Sequence, residues 1–271
     1  MAARVLAGGH DVVAWDVDPD RVGSLAADGA RAARTAADLA DCRVVLVVVP
    51  DDDAVTELLS GPDALLALLP AGAVVVVHST VLPPTVTALA AEGLRHGVHV
   101  LDAPVSGGPD RAAEGDLTLM VGGEAAAVAR VRPVLGLLGP HVHHVGGTGA
   151  GSAVKLANQT MLFSALAGAH EGMALAAAYG VAEQDVLDVV ATSLGESWVT
   201  RNWGFFDDMV RTYDEIGTPP EQRSWRKDLR DVVLTAEDRG LDLPVARLLA
   251  ATLADRVEGR AARGGGEQPE G

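Results

Sequence analysis

The sequence predicts an α/β domain built on a doubly wound parallel sheet, followed by an all-α domain, and three observations carry that expectation. The first is a set of short runs, Val12-Val13-Ala14-Trp15, Val44-Val45-Leu46-Val47-Val48-Val49, Ala73-Val74-Val75-Val76-Val77-His78 and Val98-His99-Val100-Leu101-Asp102. Most are apolar on both faces, as strands covered on both sides must be. The second is the alternation of these runs with helically spaced segments, the rhythm of parallel crossovers. The third is length: 271 residues is long for a single core, so two domains are expected.

The elements follow in order. Residues 1–8 read as a helical turn or two closed at Gly8-Gly9. The run Val12 to Trp15 is a strand ending at Asp16, and Asp18-Pro19-Asp20 opens a helix through Val22 and Leu25. Val44 to Val49 is expected as a central parallel strand, with helices over 54–69 and 84–96 between the strands that follow. The second domain is expected over 149–262, with helical patterns over 153–179, 183–192, around 203–214, over 226–239 and over 244–257, the first ended by Gly180. Residues 263–271, polar and glycine-rich, are expected to be a disordered tail.

Composition narrows the function classes. Hydrophobic residues make up 48% and aromatic ones 3%, so the core rests on Ala, Val and Leu. A net charge of −16 argues against nucleic acid or an anionic membrane surface as partner, since both recruit basic patches. The single cysteine, Cys42, forms no intramolecular disulfide, and no opening apolar run resembles a signal peptide or a span. The expectation is a soluble cytoplasmic protein.

Of 21 Lys and Arg residues only Lys155 and Lys227 are lysine. A buried lysine can exchange a proton near neutral pH and an arginine cannot, so lysine is the type that proton-transfer chemistry retains, although drift in an arginine-rich chain gives the same count. If a helix begins near Gly151, then Ser152, Lys155, Asn158 and Gln159 share one face, and the following Met161 to Ala167 read as buried. Such a stripe needs partners, either a substrate with hydroxyl and carboxylate oxygens or an internal hydrogen-bond network.

In doubly wound sheets ligands sit beyond the carboxyl ends of the strands. Asp16 stands at such an end, where a carboxylate can take the ribose hydroxyls of NAD, and Val17 offers no cation to a 2′-phosphate, so NAD is expected over NADP. Other ends carry Val49-Pro50, His78-Ser79-Thr80 and Asp102-Ala103-Pro104-Val105-Ser106-Gly107-Gly108. The paired glycines of the last let backbone N–H groups close on a carboxylate, or make an ordinary turn. His141, His143 and His144 lack a carboxylate or cysteine at ligand spacing, and no metal is expected there. Trp198, Trp203, Phe205 and Phe206 gather the scarce aromatics, for packing or a dimer contact.

Together these segments resemble the β-hydroxyacid dehydrogenase family. The resemblance is carried in order by Gly9-His10, Asp16, Val49-Pro50, Ser79-Thr80, Asp102 to Gly108, Gly115-Asp116-Leu117-Thr118-Leu119-Met120-Val121-Gly122-Gly123, Gly149-Ala150-Gly151 with Lys155 and Asn158, and Lys227-Asp228-Leu229. It implies a Rossmann-like dinucleotide-binding domain over 1–148 and a helical substrate and dimerisation domain over 149–262. It also implies NAD(P)-dependent oxidation of a small 3-hydroxy acid by a homodimer or homotetramer. On this resemblance Lys155 is the catalytic lysine and Asn158 the carboxamide that orients substrate. Ser106, Gly107, Gly108 and Asp228 bind substrate, while Asp16, Val49, Pro50, Thr80 and Lys227 contact the cofactor.

The departures matter too. The family's opening strand and glycine-rich phosphate loop have no counterpart here, a difference of about a dozen residues. A misplaced start or a truncated copy is the expectation, and an inactive homologue serving as a binding or oligomerisation subunit is the alternative to an enzyme. His78 stands where the family usually has an acidic residue, and Gln159 where many members have a second asparagine.

Overall fold

The computed structural model describes residues 1–61 and 64–264, with Arg263 and Gly264 described by backbone alone. The chain divides into two compact units, Met1–Lys155 and Leu156–Gly271.

The first unit opens with α1 (Ala2–Ala7), followed by β1 (Val13–Ala14), α2 (Pro19–Ala27) and β2 (Arg31–Ala32). Asp18 caps α2 by accepting from the Asp20 N–H at 3.0 Å, and Pro19 takes the first helical position, where no N–H is missed. β1 and β2 pair in parallel as a two-stranded sheet of their own.

The larger sheet is made from β3 (Val44–Val47), β4 (Val74–Val77), β5 (His99–Asp102), β6 (Val105–Ser106), β7 (Thr118–Gly122) and β8 (His141–Gly146). Its order is β3-β4-β5-β7-β6, with β8 also paired to β7. The first three strands are parallel, Val44 beside Val74 and Val74 beside His99. β7 runs against β5 and β6 and along β8. The helices between are α3 (Asp52–Ser60), α4 (Leu65–Leu68), α5 (Pro83–Arg95), α6 (Gly108–Glu114) and α7 (Ala125–Leu135).

The fold class is the expected one, with three corrections of detail. β3, expected at the centre, is the edge strand of its sheet, and only alternate residues are fully buried. The single helix expected over 54–69 is two, because α3 stops at Gly61 in an extended conformation, which the residue before a proline prefers. The third concerns β6, β7 and β8, which the apolar runs did not announce: β6 has two residues, and β8 is mostly exposed and rich in histidine.

β4 is buried at every residue and divides the core. Val75 and Val77 face a cluster with Val45, Leu59, Leu65, Leu66 and Val86. Val74 and Val76 face another with Leu101, Leu119, Val121, Val131 and Leu135. That two-sided burial is what continuous valine runs are for.

α8 (Ala150–Ala177) starts in the first unit and continues in the second, which adds α9 (Glu183–Val190), α10 (Trp198–Arg201), α11 (Phe205–Glu215), α12 (Ser224–Asp238) and α13 (Pro244–Gly264). The scarce rings gather here: Phe206 lies 6.0 Å from Phe163 and 6.3 Å from Trp225 between centroids, and Phe205 packs edge-on to Trp198 at 5.0 Å. The stretch Met161 to Ala167, expected to be buried throughout, is buried only on one side. Phe163 and Leu166 enter the core, whereas Met161 is exposed, because a helix this long meets other elements along one stripe. Among the described residues no helix is long and apolar enough to cross a membrane. Of the tail expected over 263–271, Arg263 and Gly264 end α13 and the rest lies outside the described residues.

Candidate active site

In the first unit, polar groups collect at the carboxyl ends of the parallel strands. Asp16, two residues past β1, accepts from the Asp18 N–H at 2.9 Å, and Val17 beside it is 86% exposed. After β3, the Val49 N–H donates to Ser79 Oγ at 2.9 Å, which ties the Val49-Pro50 segment to Ser79-Thr80 at the end of β4. His78 is buried, with Nδ1 2.7 Å from the Ala103 carbonyl. A carbonyl only accepts, so Nδ1 carries the proton and Nε2 is left as an acceptor, with no hydrogen-bond partner among the described residues. Burial pushes the imidazole down to about 4, so the ring is neutral.

Ser106 ends β6 and leads into Gly107 and Gly108, with φ of 147° and 75°. A side chain at Gly107 would be strained in that conformation and would also meet Leu117 Cδ2 at 2.8 Å. The loop therefore presents bare backbone before α6.

Asp102 sets the start of α8. Its carboxylate accepts from the N–H groups of Gly149 at 2.8 Å and Ser152 at 2.7 Å, donors that a helix start leaves without partners. Burial pushes the carboxyl up, and those two N–H groups pull against it. Gly151 is required for close approach, since a Cβ there would come within 2.2 Å of the Met120 carbonyl. Lys155, one turn after Ser152, is 8% exposed.

In the second unit a chain of side chains runs from α8 to α12. Asn158 Nδ2 donates to Gln159 Oε1 at 3.3 Å, and Gln159 Nε2 donates to Asp228 Oδ2 at 2.6 Å. The Lys227 ammonium lies 3.7 Å from Asp228 Oδ1 and donates to Asp231 Oδ2 at 2.8 Å. Arg230 closes the series on Asp231 Oδ1 at 3.1 Å. Gln159, Lys227, Asp228 and Asp231 are all buried, and leaving one of these charges with no partner at all would cost roughly 3–5 kcal/mol.

Asn158, Lys227 and Asp228 are thus brought together in one network, Ser106, Gly107 and Gly108 form one loop, and Asp16 lies just past a strand of the two-stranded sheet. Asp231 escaped the sequence reading, although its spacing of four from Lys227 is the signal for a helical ion pair. The capping role of Asp102 had no local signal, because its partners lie 47 and 50 residues on. His141 and His143 stack at 6.4 Å on β8, and among the described residues no three metal-ligating side chains gather.

Comparison with known proteins follows these features. Residues 1–146 match the family described as the NAD binding domain of 6-phosphogluconate dehydrogenase. Residues 149–268 match the family described as NAD-binding of NADP-dependent 3-hydroxyisobutyrate dehydrogenase. The chain is 36% identical to an NAD-dependent L-serine dehydrogenase of Pseudomonas aeruginosa over 199 residues, 73% of this chain and 67% of that protein. It is 35% identical to an L-threonate dehydrogenase of Cupriavidus necator over 204 residues, 74% of this chain and 69% of that protein. Among solved structures it is similar to 3-hydroxyisobutyrate dehydrogenase from Salmonella typhimurium, with 32% identity and a TM-score of 0.76, covering 92% of this chain and 86% of that one. With two matched NAD-binding families and relatives of this identity and coverage, the chain belongs to the β-hydroxyacid dehydrogenase family, oxidoreductases that take NAD as cofactor.

Proposed function

We propose that the chain oxidises the hydroxyl of a small 3-hydroxy acid, or reduces the matching semialdehyde, with Lys155 as general acid and base. The observation that carries this reading is a buried lysine followed three positions later by Asn158 on the same uninterrupted helix. The relatives named for L-serine and L-threonate support it, since both molecules join a carboxylate to a nearby hydroxyl.

The residues present fit the cofactor in part. Asp16 offers a half-buried carboxylate suited to ribose hydroxyls, and the buried Nε2 of His78 is an acceptor without a partner among the described residues at the carboxyl end of β4. Residues 2–7 form a helix and provide no glycine-rich phosphate grip. Val49, Pro50, Thr80 and Lys227 are assigned to the cofactor, and Ser106, Gly107, Gly108 and Asp228 to the substrate. When bound, NAD supplies the acceptor for the hydride leaving the hydroxyl-bearing carbon. Lys155 Nζ takes the hydroxyl proton as the carbonyl forms, and returns it in the reverse direction. Asn158 and the backbone of Gly107 and Gly108 hold the oxygens of the acid in place. Asp16, followed by the uncharged Val17, favours NAD over a cofactor bearing a 2′-phosphate.

Lys155→Arg keeps the charge and removes the exchangeable proton, so turnover is expected to fall by at least ~10²-fold, the scale of general acid–base catalysis. Steady-state kinetics with 3-hydroxy acids and NAD check this. Turnover within a few fold of the unsubstituted chain would overturn the role of Lys155. Absence of NAD binding by calorimetry would overturn the enzyme in favour of a binding or oligomerisation subunit.

A further inference from the structure

Asn158 is a half-buried carboxamide, and which of its ends meets a ligand depends on which end faces the protein. Asn and Gln side chains are nearly symmetric in shape, so only their hydrogen-bond partners settle the orientation. Here the partners form a directed series. An ionised carboxylate has acceptors only, so Asp228 can receive Gln159 solely through its NH₂ group, at 2.6 Å. That leaves Gln159 Oε1 pointing at Asn158, and an amide oxygen takes only a donor. Asn158 therefore turns its NH₂ inward, at 3.3 Å. Its Oδ1 and its second N–H meet no hydrogen-bond partner among the described residues and remain for a ligand.

We infer that Gln159 is a positioning residue: it transmits the polarity of Asp228 to Asn158, so that Asn158 offers its ligand one acceptor and one donor in a fixed arrangement. The inference rests on the reading of Asn158 as a substrate contact, and it specifies what that contact recognises. A hydroxy acid with a further polar hydrogen satisfies both ends of such an amide: a hydroxyl or carboxylate oxygen accepts from the N–H, and the second polar hydrogen donates to Oδ1, which leaves the reacting hydroxyl's own proton to Lys155. A plain carboxylic acid satisfies one. Gln159 is buried, so its effect reaches the ligand through Asn158.

The test is a polarity swap in the full chain, with the pH profile as the readout. Gln159→Glu sets a second carboxylate against Asp228, and only the protonated form of the introduced carboxyl can donate as the amide did. KM for the hydroxy acid should rise about tenfold, the size of one lost hydrogen bond to a polar group, and recover as the pH is lowered from about 9 to about 6. In an Asp228→Asn background the same change should be nearly neutral. The amide introduced at position 228 can donate to the carboxylate introduced at position 159, which still accepts from Asn158. The double-mutant cycle should therefore show strong coupling.

Gln159→Met removes the series without adding charge and guards against misfolding. Its KM should rise, and side-chain amide spectra should show the Asn158 NH₂ pair shifting. If Asn158→Ala impairs the enzyme while Gln159→Glu leaves KM unchanged at every pH, the positioning role is overturned and the substrate reading stands. If Asn158→Ala itself has no effect, the substrate reading falls. In that case an Asn158 amide pair unmoved by Gln159→Met overturns the relay as well.

Discussion

Asp102 in the first unit and Asp228 in the second are both buried carboxylates, held by different means. Asp102 is held by the backbone, through the N–H groups of Gly149 and Ser152. Asp228 is held by side chains, through the amide of Gln159 and the ammonium of Lys227. Backbone donors cannot be changed by substitution or turned to face elsewhere, so the first arrangement tolerates only an acceptor. Side-chain partners can reorient, so the second can be rewired.

The largest expected effect follows directly. Asp102→Asn puts an NH₂ against one of two buried N–H groups and leaves it unsatisfied, which should lower stability by roughly 2–4 kcal/mol. Asp228→Asn can still accept from Gln159 and leaves Lys227 paired with Asp231, so it should cost about 1–2 kcal/mol. Urea unfolding followed by circular dichroism ranks the two, and equal losses would erase the distinction drawn here.

A second, intermediate effect sharpens the comparison within the first unit. The folded-state pKa of His78, about 4, lies below the ordinary value of 6.5. The unfolded chain therefore binds the extra proton first as the pH falls. Stability is retained above 6.5 and lost between 6.5 and about 4, by up to about 1.4 kcal/mol per pH unit. Asp102 is shifted up, so its contribution has the opposite sign, present at low pH and lost as the pH rises through its raised pKa. His78→Phe should flatten the acid limb of the stability profile, and an unchanged limb would remove His78 as its cause.

The smallest effect is at the surface. Arg256 pairs with Glu171, and both are exposed. Glu171→Gln should shift stability by less than about 1 kcal/mol, since water and salt already screen such a pair. A larger loss would mean that exposed pairs in the helical unit carry weight the buried network was assigned.

The same contrast explains what could be read from the sequence. Features written in neighbouring residues were legible: the valine runs, the Asp18-Pro19 helix start, the glycines after Ser106, and Lys155 with Asn158 on one face. Features assembled from distant residues were not. Asp102 looked like the start of a loop because its two donors are far along the chain, and the antiparallel β7 announced no direction because direction is a property of pairing. β3 read as central because both faces are apolar, yet its place in the sheet depends on which strands flank it. Gln159 registered as a member of the polar stripe and as a replacement for asparagine, without its partner. Its extra methylene gains meaning beside Asp228, 69 residues away.

The cap on α8 also bears on how the chain acquires its structure. The first turn of an ordinary helix is the part most given to fraying, and it can form before anything else has folded. Here two of its N–H groups find their acceptor on a strand end about fifty residues earlier. Closing that distance carries an entropy loss that local helix growth does not, so this turn consolidates late, after β5 has found its place. The capped turn from Gly149 to Ser152, one turn before Lys155, is thus expected to become rigid only once β5 is in place.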